Sequence, residues 1–281
     1  MNRLLTANFA RLWRSRIFYV LEIFMIGYSV LIYTDTYITV HKNHKEYENW
    51  NLFFFNEMLF IGVALAIFIS LYIGVEYSNG TIRNKLSAGH SRLHIYIANL
   101  LACYAAGIIA CITYSVTSAI MGLALIGKET VAGLWKPAQG MSVALFILLA
   151  YAAIFVLISM SDMNTVRATV VSLMLSFVIL CAGLYVCQYL SMTATIERVT
   201  EVEDESGEIK TVVETEYNAR YLSGTKRKIY EWAELLLPSG QVMYVADHGI
   251  NYSVKQPICM LGVAAVCTGA GIWIFRRKDI K

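Results

Sequence analysis

The chain has 281 residues, of which 57% are hydrophobic and 15% are charged, and its formal net charge is +3. Ordinary globular proteins carry about 25% charged residues. The composition therefore excludes a disordered chain, a coiled coil and a typical soluble enzyme, and indicates a membrane protein. The net charge is too small to point to a nucleic-acid partner. The six cysteines lie in apolar stretches, without the spacing of a metal site or a disulfide framework.

Six apolar stretches are long enough to cross a membrane as helices, which takes about 20 residues each. The third is free of charge for 33 residues, which favours a helix that tilts or projects from the bilayer. We expect one membrane domain with an enlarged loop at 193–256, and with spans at about 17–35, 53–75, 95–126, 139–161, 167–192 and 257–275.

Lysine and arginine are unevenly distributed between the two sides of this arrangement. Twelve lie in the termini and in the loops after the second and fourth spans, against four in the two other short loops. Because the cytoplasmic side of a membrane protein carries the excess of positive residues, both termini are expected in the cytoplasm.

The residues before the first span have a helical pattern of their own. Leu5, Phe9, Leu12 and Trp13 share one face of a helix, and Arg3, Arg11 and Arg14 fall on the other. This pattern predicts an amphipathic helix lying on the inner leaflet. The alternative is a basic flank that only sets the topology.

A short basic segment follows the second span. Asn79-Gly80 is a turn signal, Thr81 can cap a helix that runs to Leu86, and Gly89 can end it. The residues alone leave two interpretations open. One is a solvated basic turn. The other is a rigid surface helix that receives force from a cytoplasmic motor.

In the second interpretation, the side chains of this helix contact the motor directly. Ile82 and Leu86, spaced i and i+4, would dock in a groove on it. Arg83 and Lys85 would pair with its carboxylates.

The segment and its flanks form a motif that consists of Glu76, Gly80-Thr81-Ile82-Arg83-Asn84-Lys85-Leu86, Gly89, Ser91-Arg92 and Ile95-Tyr96. This motif resembles the segment after the second span of type-2 ATP-binding-cassette exporter permeases, and the resemblance favours the second interpretation. The six spans, the N-terminal helix and the enlarged loop before the last span are also similar to that family.

The resemblance implies roles at the matching positions. Gly80 to Leu86 would form the coupling helix that docks on the ATPase subunit, and Glu76 would be the acidic residue just upstream. Leu4 to Arg16 would form the connecting helix.

The resemblance also implies an assembly of two permeases and two ATPases, with the substrate path between the permeases. The second permease is either another copy of this chain or a homologous one. The sequence has no G-x-x-x-x-G-K-[ST] phosphate loop. We therefore expect no catalytic residue and no cofactor on this chain, and we expect ATP and Mg²⁺ to be bound by the partner ATPase. The expected location is a bacterial plasma membrane.

The loop before the last span begins with two runs typical of β-strands, separated by Asp204-Glu205-Ser206-Gly207. This pattern predicts a hairpin. Residues 193–217 carry eight carboxylates and two basic side chains. An acidic surface that meets a cationic peptide is one interpretation. We favour the other, a solvated loop kept soluble by its charge.

The second part of this loop, residues 229–244, is apolar but too short to span. It resembles the pair of re-entrant helices that closes the outer mouth in this family, with a break at Pro238 and Gly240. These two residues are therefore candidates for an outer gate. An amphipathic helix resting on the outer interface is the alternative.

Glu22 is the ionisable residue inside the first span. Such groups are costly in a membrane and usually face a partner or a cavity. Glu22 is therefore a candidate for the translocation path or for the interface between permeases. The alternative is that it reaches toward Arg16 or the inner headgroups.

Two enzyme hypotheses are weaker. Ser239 with His248 lacks the G-x-S-x-G context of a nucleophile. His41 and His44 with Glu46 lack a third metal ligand at defined spacing. No metal site is expected.

The sequence therefore predicts an all-α membrane protein that serves as the permease subunit of an ATP-driven exporter. A peptide, above all an antimicrobial one, or a hydrophobic small molecule is the expected substrate. The alternative is a non-transporting sensor or assembly protein that signals to a cytoplasmic ATPase. An independent channel is a weaker third hypothesis, because a channel needs no coupling segment.

Overall fold

The structure is a computed structural model that describes residues 1–43, 56–125, 135–203, 209–248 and 255–279. Almost all of this part of the chain is helical. In chain order the elements are α1 (Asn2–Arg14), α2 (Arg16–Asn43), α3 (Asn56–Ser78), α4 (Thr81–Ser87), α5 (Arg92–Leu125), α6 (Trp135–Ser161), α7 (Thr165–Leu190), β1 (Thr195–Glu203), β2 (Ile209–Tyr217), α8 (Gly224–Leu236), α9 (Pro238–His248) and α10 (Lys255–Arg277).

Six of these helices, α2, α3, α5, α6, α7 and α10, are long and apolar enough to cross a membrane. The predicted six-span, all-α fold is thus confirmed. Helix α5 has 34 residues, which at 1.5 Å per residue is about 51 Å. The hydrocarbon core of a bilayer is about 30 Å thick, so α5 must tilt or extend beyond it.

Three spans form the centre of the bundle and three surround it. In α3 and α6, 67% of an 18-residue apolar stretch is buried inside the bundle, whereas in α10 only 22% of such a stretch is buried. Helix α10 packs on α6, α2 packs on α5, and α7 packs on α3. The peripheral helices therefore present long apolar surfaces outward, as expected of helices that contact lipid or another membrane subunit.

The bundle has two ends with different structures. One end carries α1, α4, the start of α5 and the end of α10, and we call it the terminal face. Arg92 at the start of α5 donates a hydrogen bond of 2.7 Å to the carbonyl of Phe275 near the end of α10. The opposite end carries β1, β2, α8 and α9, and we call it the hairpin face.

The two strands form an antiparallel pair whose register runs from Thr195 opposite Tyr217 to Glu203 opposite Ile209. The small hairpin predicted from the sequence is therefore present. The predicted turn at 204–207 lies outside the described residues. An exposed ion pair joins Arg198 to Glu216 across the strands at 3.5 Å.

Two short helices precede the last span, as the sequence predicted. The chain leaves α8 at Leu237 in an extended conformation, and Pro238 begins α9. Proline suits the first turn of a helix, where its missing N–H has no partner to lose. The hydroxyl of the next residue, Ser239, donates a hydrogen bond of 2.5 Å to the carbonyl of Ile179 in α7. The break between the helices is thus fastened to a spanning helix.

Gly240 allows α9 to fold tightly against the end of α8. A Cβ atom at this position would lie 2.6 Å from the carbonyl oxygen of Glu234 and 2.9 Å from its Cα. Both are backbone atoms, which cannot move aside without displacing the helix. The close approach of α8 and α9 therefore requires glycine here.

We expect the substitution Gly240→Ala to lower the free energy of unfolding by about 1–3 kcal/mol, the usual cost of overpacking. Gly269→Ala is the matched control, because a Cβ there meets nothing within 4 Å and alanine favours a helix. Thermal unfolding of the purified protein in detergent measures both. Equal midpoints for the two variants would contradict the tight packing at Gly240.

Candidate functional site

A buried carboxylate lies at the terminal face, where α1, α3, α4 and α5 meet. Glu76, two residues before the end of α3, has a fully buried side chain that forms ion pairs through Oε1 with Arg11 of α1 and Lys85 of α4. Its Oε2 accepts a hydrogen bond of 2.7 Å from the amide nitrogen of Asn99 in α5. One side chain therefore connects four helices.

Two asparagines and a tyrosine complete this arrangement. The amide nitrogen of Asn8 donates to Oδ1 of Asn99 at 2.8 Å, and Lys85 donates to Oδ1 of Asn8 at 2.8 Å. The Tyr72 hydroxyl donates to the Asn8 carbonyl at 3.0 Å, and the guanidinium of Arg11 lies 3.8 Å above the centre of the Tyr72 ring. We call the following residues the Glu76 cluster: Asn8, Arg11, Tyr72, Glu76, Lys85 and Asn99.

Two cations share the single carboxylate of this cluster. The Lys85 side chain is 12% exposed and that of Arg11 is 25% exposed. Burial lowers the pKa of Lys85, and the negative charge of Glu76 opposes that shift. Removing one partner of a buried pair is strongly destabilising, at about 3–5 kcal/mol, because the other charge is left without compensation. The cluster therefore holds the four helices together only as a complete set.

Helix α4 is bounded by two glycines with positive φ. Gly80 (φ +65°) precedes its first residue, Thr81. At the other end, Gly89 (φ +85°) donates to the carbonyl of Leu86, and His90 donates to that of Lys85. These two hydrogen bonds form a Schellman motif. Gly89 ends the helix as expected. The sequence-based assignment of Thr81 as the cap is wrong, because that position is taken by Gly80.

The surface that α4 presents differs from the expected one. Ile82 is 1% exposed and belongs to the hydrophobic core of this chain, and Leu86 packs against the same core. Lys85 points inward to Glu76. Arg83 and Asn84 are exposed. The apolar side chains of the motif thus anchor α4 to the bundle, and its outer surface is polar.

A shallow concavity of about 360 Å³ opens beside this surface. It lies where the end of α3 passes into α4 and where α6 turns into α7. Its lining residues are Tyr77, Ser78, Asn79, Gly80, Ile82, Arg83 and Met163.

The buried face of α1 is also different from the predicted one. Leu4, Asn8 and Leu12 are buried, whereas Trp13 is 54% exposed. Arg11 was expected on the solvated face, but it turns toward Glu76. The reason is that a buried carboxylate requires cations and hydrogen-bond donors around it. This requirement rotates α1 by about one residue from the position that its apolar side chains favour.

The other spans are also joined at the terminal face. Met160 near the end of α6 accepts hydrogen bonds on its carbonyl from the Tyr77 hydroxyl at 2.7 Å and from Lys278 at 3.4 Å. Lys278 also lies 5.0 Å from the centre of the Tyr77 ring. The ends of α3, α6 and α10 are therefore tied to one another beside α4.

Glu22 lies on the face of α2 that packs on α5. Its carboxylate oxygens are shielded from solvent and face Thr113 of α5. Further along the same contact, the hydroxyls of Ser29 and Ser118 share a hydrogen bond of 2.9 Å. Glu22 is thus part of a polar seam inside this chain and does not lie on its outer apolar surface.

The residues considered for enzyme chemistry have other roles where they are described. Ser239 uses its hydroxyl to fasten α9 to α7. The ring of His41 lies beside that of Tyr37, tilted by 37° and with ring centres 4.4 Å apart, whereas His44 and Glu46 lie outside the described residues. Within the described ranges, no group of three His, Cys, Asp or Glu side chains is arranged to hold a metal ion.

Comparison with known proteins identifies the family. Residues 4–183 match the family described as ABC-2 family transporter protein. The match covers more than half of the chain and includes α1, α4 and the Glu76 cluster, so the chain belongs to this family. No curated protein matches the sequence significantly. Membership of this family, together with the six apolar helices, makes the protein a multi-pass membrane protein. It is a permease subunit of an ATP-binding-cassette transporter, and its partner is an ATPase of that class.

The sequence analysis assigned none of the other five members of the Glu76 cluster to Glu76, and it gave no role at all to three of them, Asn8, Tyr72 and Asn99. Two of them carry a recognisable signal. Asn8 interrupts the apolar stripe of an amphipathic helix, and Asn99 interrupts a long charge-free span. A polar side chain at such a position needs a buried partner, and Glu76 is the carboxylate at the same depth. Tyr72 has no comparable signal, because its ring suits the core.

We expect Glu76→Gln to lower the free energy of unfolding by about 3–5 kcal/mol, because two buried cations lose their counter-charge. The double variant Glu76→Gln/Lys85→Met should recover part of that loss, since it removes one of those cations. Urea or thermal unfolding in detergent gives the coupling energy from the complete mutant cycle.

Asp162→Asn is the matched control, because it removes a carboxylate from a pair whose Arg167 side chain is 70% exposed. Exposed pairs contribute about 0–1 kcal/mol. Similar losses for Glu76→Gln and Asp162→Asn would contradict a structural role for the buried cluster.

Proposed function

We propose that this chain forms the translocation path of an ATP-driven exporter and that α4 is the helix on which the ATPase acts. The Glu76 cluster is the observation that supports the proposal most strongly. It joins α4 to a connecting helix and to the central span α3 by buried ion pairs, and to the central span α5 by a hydrogen bond. A load applied to α4 therefore reaches the spans without first bending a flexible loop.

The docking surface in this proposal is the polar outer side of α4 together with the concavity next to it. Arg83 and Asn84 are among the exposed side chains there, and a guanidinium is well suited to a carboxylate on the partner. Gly80 and Thr81 shape the entry to the helix. Glu76, Ile82, Lys85 and Leu86 act from within, by fixing the helix to the bundle.

The proposed assembly contains two ATPase subunits, which bind ATP and Mg²⁺, and two permeases. The second permease is another copy of this chain or a homologous chain. Exposed apolar side chains on α2 and α7, such as Leu31 (70%) and Val166 (72%), offer a surface for lipid or for this second subunit. ATP hydrolysis would switch the paired permeases between two conformations.

We further propose that the substrate is an antimicrobial or other peptide, or a hydrophobic small molecule, and that it leaves on the hairpin face. In this orientation both termini are cytoplasmic. The break between α8 and α9 at Pro238 and Gly240 lies beside Ile179 and Gly183 of α7, and an outer gate would lie there. The acidic sequence of the hairpin is compatible with a cationic substrate, but it also serves solubility.

The docking proposal is tested by co-purifying the tagged chain with its ATPase in mild detergent. We expect Arg83→Glu to reduce the ATPase recovered about tenfold, because a docking cation becomes a repelling anion. Arg14→Glu is the matched control, since Arg14 is an exposed arginine on the same face but outside α4. Equal recovery with both variants would contradict docking through Arg83.

The alternative function is a membrane sensor that contacts an ATPase without transporting anything. The two functions differ in the ATPase activity of the purified complex and in vesicle transport. An exporter shows ATP hydrolysis stimulated by its substrate together with movement of the substrate across the membrane. A sensor shows partner binding without either. An absence of any co-purified ATPase from the stable wild-type protein would contradict both functions.

We expect Glu22→Ala to lower export without lowering assembly with the ATPase, because the side chain lies in the seam between α2 and α5 and not at α4. Survival of cells exposed to a panel of cationic peptides measures export, and co-purification measures assembly. Ser29→Ala is the control, since it removes a hydroxyl from the same seam without removing charge. Wild-type protection by Glu22→Ala would contradict a role of this seam in export. Unchanged sensitivity of a deletion strain to the whole panel would contradict peptide export.

A further inference from the structure

A second polar cavity lies at the hairpin face, far from α4. It has a volume of about 340 Å³, within the range of sites for small ligands. It is enclosed by α8 and α9 together with the end of α7 and the start of α10. Its lining residues are Leu190, Arg227, Glu231, Glu234, Leu235, Tyr244, Lys255 and Gln256.

The cavity lies at the depth of the lipid headgroups. Leu190 is the last residue of α7 and Lys255 is the first of α10, so the ends of two spanning helices meet in its wall. The adjacent helix α8 exposes Ile229, Trp232 and Leu236, which share one face at i, i+3 and i+7. A helix with one apolar face that includes tryptophan is typical of the membrane interface.

Three tyrosines lie close together on α7 and α8, at the same depth as the cavity. The rings of Tyr185 and Tyr189 in α7 have centres 4.8 Å apart, and Tyr230 of α8 lies 5.8 Å from Tyr189. Tyrosine and tryptophan are enriched at both interfaces of a membrane, where their rings sit among the headgroups. The cavity therefore lies at a level that a lipid headgroup can reach.

The charges in the wall are of both signs. Arg227 pairs with Glu231 at 3.3 Å along α8, and both side chains line the cavity. Glu234, one turn further, is 6% exposed, and Lys255 at the start of α10 lines the same cavity. A wall with two carboxylates and two cations suits a ligand that itself carries one charge of each sign.

The wall also contains a buried donor without a partner. Gln256 is 1% exposed. Its side-chain nitrogen makes no hydrogen bond with any described residue, although its own carbonyl accepts one of 3.0 Å from Gln241. A buried donor that stays unpaired is costly, at about 1–3 kcal/mol. An acceptor oxygen of a ligand in the cavity would remove this cost.

From this geometry we propose that the cavity binds the phosphoethanolamine headgroup of a lipid in the leaflet at the hairpin face. The phosphate oxygens accept hydrogen bonds from Gln256 and Arg227, and the primary ammonium donates to Glu231 and Glu234. A choline headgroup cannot donate these hydrogen bonds, and a glycerol headgroup has no cation. The binding does not depend on transport or on the proposed exporter function.

The test measures lipid binding to the purified full chain by native mass spectrometry and by the shift in its thermal midpoint. The probes are phosphatidylethanolamine, phosphatidylcholine and phosphatidylglycerol in the same detergent, with water-soluble glycerophosphoethanolamine as a fourth. We expect phosphatidylethanolamine to bind about tenfold more tightly than the other two lipids, the equivalent of about 1.4 kcal/mol.

Two variants locate the binding. Glu231→Gln should abolish the preference for phosphatidylethanolamine over phosphatidylcholine. Glu216→Gln is the matched control, because it breaks an arginine–glutamate pair on the same face but outside the cavity. Gln256→Leu should weaken lipid binding about tenfold while lowering the thermal midpoint of the lipid-free protein little, since the side-chain nitrogen that it removes has no partner among the described residues.

Equal affinity for the three lipids would overturn the proposal, as would a preference for phosphatidylglycerol. An unchanged preference in Glu231→Gln would also overturn it. If glycerophosphoethanolamine bound as tightly as the lipid, the ligand would be a soluble molecule and the assignment to a membrane lipid would be wrong. None of these outcomes depends on whether Arg83 docks an ATPase.

Discussion

The structure of the terminal face depends on the burial of one carboxylate. An unpaired ion in a low-dielectric interior costs several kcal/mol even after relaxation, so Glu76 cannot be buried unless its partners are in place. Those partners come from α1, α4 and α5. The orientation of α1, the inward direction of Lys85 and the seating of α4 on the core all satisfy this one requirement. Separating any of these helices would expose or isolate a charge.

This constraint has a mechanical consequence. A short helix between two spans is normally free to rock on its loops. Here Gly80 and Gly89 allow the chain to bend sharply at both ends of α4, hydrogen bonds from Gly89 and His90 close its C-terminal end, Ile82 anchors its underside, and Lys85 binds it to α3. Because close-packed interiors transmit displacement, α3 and α4 behave as one body. Force on the exposed side of α4 is therefore delivered to the centre of the bundle.

Local patterns predicted the elements well and their partners less well. The six spans, the hairpin and the end of α4 at Gly89 follow from charge-free length, alternation and glycine chemistry, all of which are encoded within a few residues. The buried face of α1 does not, because Asn8 is placed there by Asn99, which lies 91 residues away in sequence. Lys85 and Ile82 were expected to contact another protein. They are instead used inside this chain, since a basic or apolar side chain has the same local signature in either role.

The two ends of the molecule are linked through α3. It carries Glu76 at the terminal face, packs along α7 and also contacts α9. Helix α7 in turn holds the break between α8 and α9 through the hydrogen bond from Ser239 to Ile179, and Gly183 leaves no room there for a side chain. A displacement of α3 must therefore be accommodated by α7 and α9 together, because neither contact has space to absorb it. In the proposed coupling, a force applied at α4 would therefore reach the hairpin face through α3, α7 and α9.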